Sequence, residues 1–311
     1  MLLTACGGGA DGGTTGAGSS DAPRQVTVGV IPIADVAPLY LGVEQGFFSD
    51  RGLELELVSG QGGAALVPAV VSGQMDFAFS NTLSLLVGQE AGLPIQVVAP
   101  GNASTGDPAE DFACVIVPAD SSLQSVTDLA GARVSTNTLN NINVAVIRDL
   151  VDGAGADSSS IQFVEIAHPD VPQVIANRQV DAGVAVEPFK TIALQQGARC
   201  LSNVFAEVQD EPLLIGAYFT TTELAQSDPE LVEAFVEGLQ ESFAYATDNP
   251  DEARRILGSY TELTPELAEA ITLAGWPREL DRASLEYMSE VGSRYGILES
   301  PADLDALLPE Q

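Results

Sequence analysis

The feature that most constrains this chain is an alternation of short β-rich runs with helix-periodic stretches, continuing through more than half its length. Residues 26–31 (VTVGVI) read as a strand ended by Pro32, and residues 36–46 as a helix stopped by a glycine. A second strand at 53–58 runs into the glycine-rich turn 59–63 and a helix ending at Val71. A third strand, 76–79, ends in Ser80 and Asn81, followed by a helix at 82–91 and a strand at 95–99. Strands and helices at this spacing imply an α/β protein with parallel sheets covered on both faces.

The segment GNASTGDPAED (101–111) breaks that rhythm, and a new alternation starts, with strands at 113–117, 133–136, 161–166 and 181–186. This is a second α/β unit. After a strand-like run at 213–221 the chain turns helical, with the start signals Asp228-Pro229, Asn249-Pro250, Thr264-Pro265 and Ser300-Pro301. The first of these helices places Leu231, Phe235, Leu239 and Phe243 in one apolar stripe, which needs a surface to pack on. The expected division is therefore a tether at 1–25, one lobe built from 26–105 and 213–311, and a second lobe at 106–212.

Charge and composition narrow the function classes. The 311 residues include 44 acidic and 12 basic side chains, a net charge of -32, so most of the surface repels a polyanion and nucleic acid is not an expected partner. Lys190 is the single lysine and His168 the single histidine. One histidine supports neither a catalytic dyad nor a multi-histidine metal site, and in the loop AHPDVP it reads as solvated. The three cysteines, Cys6, Cys114 and Cys200, have no metal or redox spacing. No metal, cofactor or catalytic residue is expected. Cys114 and Cys200 fall on strand-like positions, and a disulfide and two buried thiols are both open readings.

At the amino-terminal end, LTAC (3–6) resembles a bacterial lipobox, and GGGADGGTTGAGSSDAP (7–23) reads as a flexible tether. The combination predicts lipidation of Cys6 and attachment to a membrane, since acyl chains contribute about 0.8 kcal/mol per buried methylene. Residues 1–5 are too short for a signal peptide, so the rest of one is expected upstream. Beyond the first positions no apolar run reaches the roughly 18–20 residues of a membrane helix.

Four further segments carry a family resemblance. DVAPLYLGVEQGFF (35–48) with GLELELVSGQGGAALVPAVVSGQMDFAFSN (52–81) resembles the opening of the SsuA/THI5-like (NMT1-like) solute-binding proteins. DLAGARVSTNTLNN (128–141) and VDAGVAVEPF (180–189) are similar to the hallmark segments of that family's second domain, and residues 276–298 to its carboxy-terminal helix. The resemblance implies a type II periplasmic binding protein fold: two α/β lobes, joined by two crossovers, with a ligand cleft between them. It also implies an extracytoplasmic, monomeric protein that binds a small molecule and delivers it to an ABC permease. Family members serve sulfonates, taurine, nitrate, bicarbonate or thiamine-pyrimidine precursors. A sensory binding protein is the alternative, and an enzyme of the pyrimidine-synthase type a more remote one, because the CCCFC motif of those enzymes is missing here.

In such folds ligands meet the loops beyond the carboxyl ends of the strands. The candidate ligand-binding residues there are Asp35, Ser59, Gln61, Gly62, Ser80, Asn81, Thr82, Asn137, Asn140, Asn141 and Glu187, with Tyr218 and Trp276 from the returning segment. The short polar residues among them are also ordinary helix caps. Glu187 is expected to hold an amine or ring N–H, and Trp276 to wall a flat ligand. These loops carry no arginine or lysine, which favours a neutral or cationic solute over an anion.

Overall fold

The computed structural model describes residues 22–308. The chain first builds β1 (Arg24–Val30), α1 (Ala37–Gln45), β2 (Leu53–Ser59), α2 (Gly63–Val71), β3 (Phe77–Asn81), α3 (Thr82–Glu90) and β4 (Ile95–Pro100). It then forms β5 (Ala113–Pro118), β6 (Arg133–Thr136), α4 (Ile142–Gly153), β7 (Gln162–Glu165), α5 (Val171–Ala176), β8 (Ala182–Val186), α6 (Phe189–Gln195) and β9 (Ala198–Ser202). The remainder is β10 (Gly216–Thr221), α7 (Thr222–Ser227), α8 (Pro229–Asp248), α9 (Pro250–Ile256), α10 (Pro265–Ala268), α11 (Arg282–Arg294) and α12 (Leu304–Leu307).

Two five-stranded sheets result, ordered β2-β1-β3-β10-β4 and β7-β6-β8-β5-β9, so the architecture is two α/β lobes. Both sheets are mixed, which corrects the expectation of parallel ones: β10 runs against β3 and β4, and β5 against β8 and β9. The reason is directional. Chain crossing from the other lobe arrives at the carboxyl ends of the parallel strands, so the first strand it forms must run the opposite way. The outgoing and returning segments pair with each other: Ile215 N–H donates to the Asn102 carbonyl (2.8 Å) and Ser104 N–H to the Leu213 carbonyl (2.9 Å). Ala103 also pairs with Gly275. Gly101 and Gly216 approach so closely that a Cβ on Gly101 would sit 2.9 Å from the Gly216 carbonyl carbon, so only glycine fits there.

The stripe on α8 is buried as its spacing requires, with Phe235 stacked on Phe77 of β3 at 4.0 Å. Asp228 caps α8 by accepting from Leu231 N–H (3.2 Å), and Thr264 caps the short α10. Ser300-Pro301 starts no helix: α12 begins at Leu304, capped by Asp303. The carboxy-terminal helix occupies only Arg282–Arg294, capped by Asp281. The edge strand β9 is marked in the sequence only by the strand-like position of Cys200, because ARCLS lacks an apolar alternation and stays half-buried. Cys114 and Cys200 are disulfide-bonded, with Cα atoms 5.9 Å apart, joining β5 to β9. Cys6 lies outside the described residues. Among the described residues no helix is long and apolar enough to cross a membrane.

Candidate ligand-binding cleft

The loops after β1 and β3 in one lobe and after β6 and β7 in the other close on a narrow cavity of about 40 Å³. The first lobe contributes Ile31, Ile33, Asp35, Phe79, Asn81 and Ile215. The second contributes Asn137, Asn141, Ile142, Asn143, His168 and Val186, and Phe112 and Phe205, stacked on each other, complete the wall. An apolar lining with a few convergent polar groups is the usual make-up of a small-molecule site. No lining residue is arginine or lysine.

Asp35 sits in a one-turn helix between β1 and α1 and is 4 % exposed. Its Oδ1 has no hydrogen-bond partner among the described residues. Burial pushes the carboxyl up to about 7; its own backbone N–H and the Asn102 amide pull it down, while the Asp111 carboxylate pushes it further up. The backbone is held separately, since Trp276 Nε1–H donates to the Asp35 carbonyl (3.0 Å). Trp276 thus buttresses the loop and faces a different groove, a correction to its expected place as a wall of the cleft. Tyr218 lies behind the site: its ring packs on Phe79 and Phe235, its hydroxyl is buried without a partner among the described residues, and burial with the Asp35 charge raises its pKa.

Across the cavity three asparagines interlock. Asn141 caps α4 by accepting from Asn143 N–H (3.1 Å) and donates through its own amide to Asn137 Oδ1 and Thr138 Oγ1, each at 2.9 Å. Asn143 adds a second donor to Asn137 Oδ1 (3.0 Å). With that oxygen doubly engaged, the Asn137 amide N–H₂ is the group left to face a solute. Opposite it, Asn81 caps α3 through Ser84 N–H (2.9 Å) while lining the cavity. The caps and the candidate ligand contacts are the same residues, so the two readings of these loops coincide.

Other candidates are placed elsewhere. Gly62 is where the lobes touch: a Cβ there would meet Thr138 Cγ2 at 3.0 Å and Asn137 Nδ2 at 3.1 Å. Ser80 is buried beneath Gly63, and Thr82 donates its N–H to the Ile215 carbonyl (2.9 Å), both just behind the lining. Ser59, Gln61 and Asn140 are exposed and line no part of the cavity, with Asn140 serving as a left-handed turn residue (φ 54°). Glu187 is fully buried outside the cavity, which corrects the expectation that it faces a ligand. Its carboxylate accepts from Thr191 N–H (3.0 Å), Thr191 Oγ1–H (2.9 Å) and Thr272 N–H (3.3 Å), and Lys190 Nζ lies 3.5 Å away. Burial raises this carboxyl, and Lys190 and Thr191 oppose the rise.

His168 is the main residue that sequence reasoning misplaced. It is 5 % exposed, lines the cavity, and its Nδ1 has no partner among the described residues. Burial alone lowers its pKa to about 4, so the imidazole is neutral. The available signal was its position, because the loop after β7 occupies the same strand-end edge as the loops chosen as candidates. Asn143, which also lines the cavity, lies inside α4 just after the Asn141 cap and is not among the candidates read from the sequence.

The NMT1/THI5 like family profile matches residues 33–253, a stretch that contains the cavity loops of both lobes. The chain belongs to this family. Among NMT1/THI5-like relatives, a 4-amino-5-hydroxymethyl-2-methylpyrimidine phosphate synthase of Legionella pneumophila is 24% identical over 226 residues, covering 71% of this chain and 68% of the relative. A formylaminopyrimidine-binding protein of Halalkalibacterium halodurans is 22% identical over 227 residues, covering 70% and 64%. The alkanesulfonate-binding protein SsuA of Xanthomonas axonopodis pv. citri, solved with MOPS bound, superposes with a TM-score of 0.77 at 18% identity, over 93% of this chain and 99% of that one. The fold is that of the type II periplasmic binding proteins, as the resemblance implied.

Proposed function

We propose that this chain is the extracytoplasmic solute-binding component of an ABC importer, capturing a small polar organic molecule between its lobes and presenting it to a membrane permease. The observation that carries this reading is a cavity lined from both lobes at the carboxyl ends of their strands. A solute that touches both sides favours the closed arrangement by its differential contacts. In this reading the protein works as a monomer, tethered to the membrane through a lipid on Cys6, and segments 26–105 with 213–311 move against 106–212. The cation-free lining favours a neutral or cationic solute, and an amino-substituted nitrogen ring is the leading class; the relative that binds a formylaminopyrimidine supports it.

Relatives named as pyrimidine phosphate synthases raise a second, enzymatic reading. The side chains weigh against it. The only lysine, Lys190, is buried and donates to the Asp111 carbonyl and to Thr272 Oγ1 (3.2 Å), beside Glu187. A charge held this way is a poor nucleophile. The test is mass spectrometry of solute released from natively purified protein, with a thermal-shift screen. A solute at a hundred times its Kd raises stability by about 2.7 kcal/mol. Recovery of an intact small molecule, unchanged after incubation, is expected; its chemical conversion by the purified protein would refute the reading.

A further inference from the structure

We propose that Asp35 and His168, reaching the same cavity from opposite lobes, are the pair that selects the solute: an uncharged or cationic molecule that donates one hydrogen bond to each. This rests on the reading of the chain as a solute-binding protein and adds which side chains discriminate and for what. Both residues are at least nine-tenths buried, both line the cavity, and Asp35 Oδ1 and His168 Nδ1 both lack a hydrogen-bond partner among the described residues. Most buried polar atoms in folded proteins are paired, and leaving one unpaired costs about 1–3 kcal/mol. Two such atoms on one cavity, one from each lobe, mark where a partner belongs.

The chemistry of that partner follows from the groups themselves. In its ionised form, which predominates above about pH 7, the Asp35 carboxyl only accepts hydrogen bonds, and the Nε2–H tautomer of the neutral His168 imidazole, which this proposal requires, accepts at Nδ1. Around Asp35 stand the Asp111 carboxylate, the Asn102 amide and the Tyr218 phenol, none of which brings a positive charge. An anionic solute would meet one carboxylate directly and a second nearby, in a site with no arginine or lysine in its lining. A solute carrying donors on two edges relieves both unpaired acceptors, and it does so only when the lobes are together. Selection and closure are then one event.

The experiment uses 4-amino-5-hydroxymethyl-2-methylpyrimidine as the donor-bearing probe and ethanesulfonate as the anionic one, with calorimetry on the wild type, Asp35→Asn, His168→Phe and His168→Asn. The pyrimidine is expected to bind the wild type, to weaken at least tenfold in Asp35→Asn and His168→Phe, and to recover partly in His168→Asn, whose amide oxygen returns an acceptor. Because His168 is the only histidine, ¹⁵N NMR reports it alone, and the pyrimidine should move its Nδ1 resonance, which a purely structural role would not do. Failure of the pyrimidine to bind the wild type, or undiminished binding by both variants, overturns the pair. Ethanesulfonate binding to the wild type as tight as the pyrimidine's, and unchanged in Asp35→Asn, overturns it too, while leaving the solute-binding reading intact. That reading itself would fall only if neither probe nor any component of a metabolite extract stabilised the protein.

Discussion

Burial raises the Asp35 carboxyl to about 7 and lowers the His168 imidazole to about 4, so the two ionisable side chains lining the cavity respond to acid in opposite senses. Between about pH 4 and 7 the folded state keeps a proton on Asp35 that the unfolded chain has lost, so this residue's contribution to stability declines as pH rises. His168 behaves inversely, because the unfolded chain takes up a proton below its ordinary value of 6.5 that the folded state refuses. At 1.36 kcal/mol per unit, each effect is on the order of 3–4 kcal/mol, and over most of this range they cancel. Single substitutions separate them. Relative to the wild type, Asp35→Asn should gain stability from pH 4 to 8, and His168→Phe should gain it from pH 7 down to 4, each by a few kcal/mol. Denaturant melts at pH 4, 6 and 8 measure this, and parallel curves for all three proteins would mean that neither group is buried as described.

The joint between the lobes is built where β8 ends and α6 begins. Glu187 accepts from Thr191 on its own helix and from Thr272 on the segment beside the crossovers, and its backbone carbonyl accepts from Ala34 N–H (2.8 Å) in the first lobe. Removing the carboxylate would strand the Lys190 ammonium in a buried site, which typically costs about 3–5 kcal/mol. Glu187→Ala should therefore lower stability by that order, and Glu187→Gln by less. In the folded fraction Glu187→Gln should affect solute affinity less than Asp35→Asn does, and calorimetry showing the reverse would return Glu187 to the binding surface. A second element-level constraint is the β5–β9 disulfide, which spans 86 residues of sequence. On the loop-entropy relation its loss in Cys114→Ser/Cys200→Ser should cost about 4–5 kcal/mol, read from denaturant midpoints. The residues explain how much of this was legible. Strand–helix alternation and the Asp-Pro and Thr-Pro starts depend on neighbours in sequence, so β1 to β8 and the starts of α8 and α10 could be read directly. The direction of β5 and β10, the engagement of Glu187 by Thr272 and the burial of His168 depend on where the chain returns, and no local pattern carries that. Asn81 and Asn141 were legible because one side chain serves as both cap and cavity wall.

At the scale of the whole molecule the cavity sets the last requirement. Its roughly 40 Å³ holds about three waters, at 10–15 Å³ for each, whereas a substituted pyrimidine needs several times that space. A solute of this class enters only if the lobes part, and the natural pivot is the pair of crossover segments, where Asn102 and Ser104 bond to Leu213 and Ile215. Parting the lobes breaks the Ala34–Glu187 hydrogen bond and separates Gly62 from Asn137 and Thr138. Charge acts on the same coordinate. The net charge of -32 is shared, with an acidic surplus in both lobes, so mutual repulsion favours the open arrangement in dilute buffer. Salt shortens its range, from about 30 Å at 0.01 M to about 3 Å at 1 M. Small-angle scattering should therefore give the largest radius of gyration without solute at low salt and a smaller one at 1 M. With saturating solute the radius should be small at either salt concentration. A single radius under all these conditions would sink the closing motion, and a solute-induced decrease that persists undiminished at 1 M salt would show that charge plays no part in holding the lobes apart.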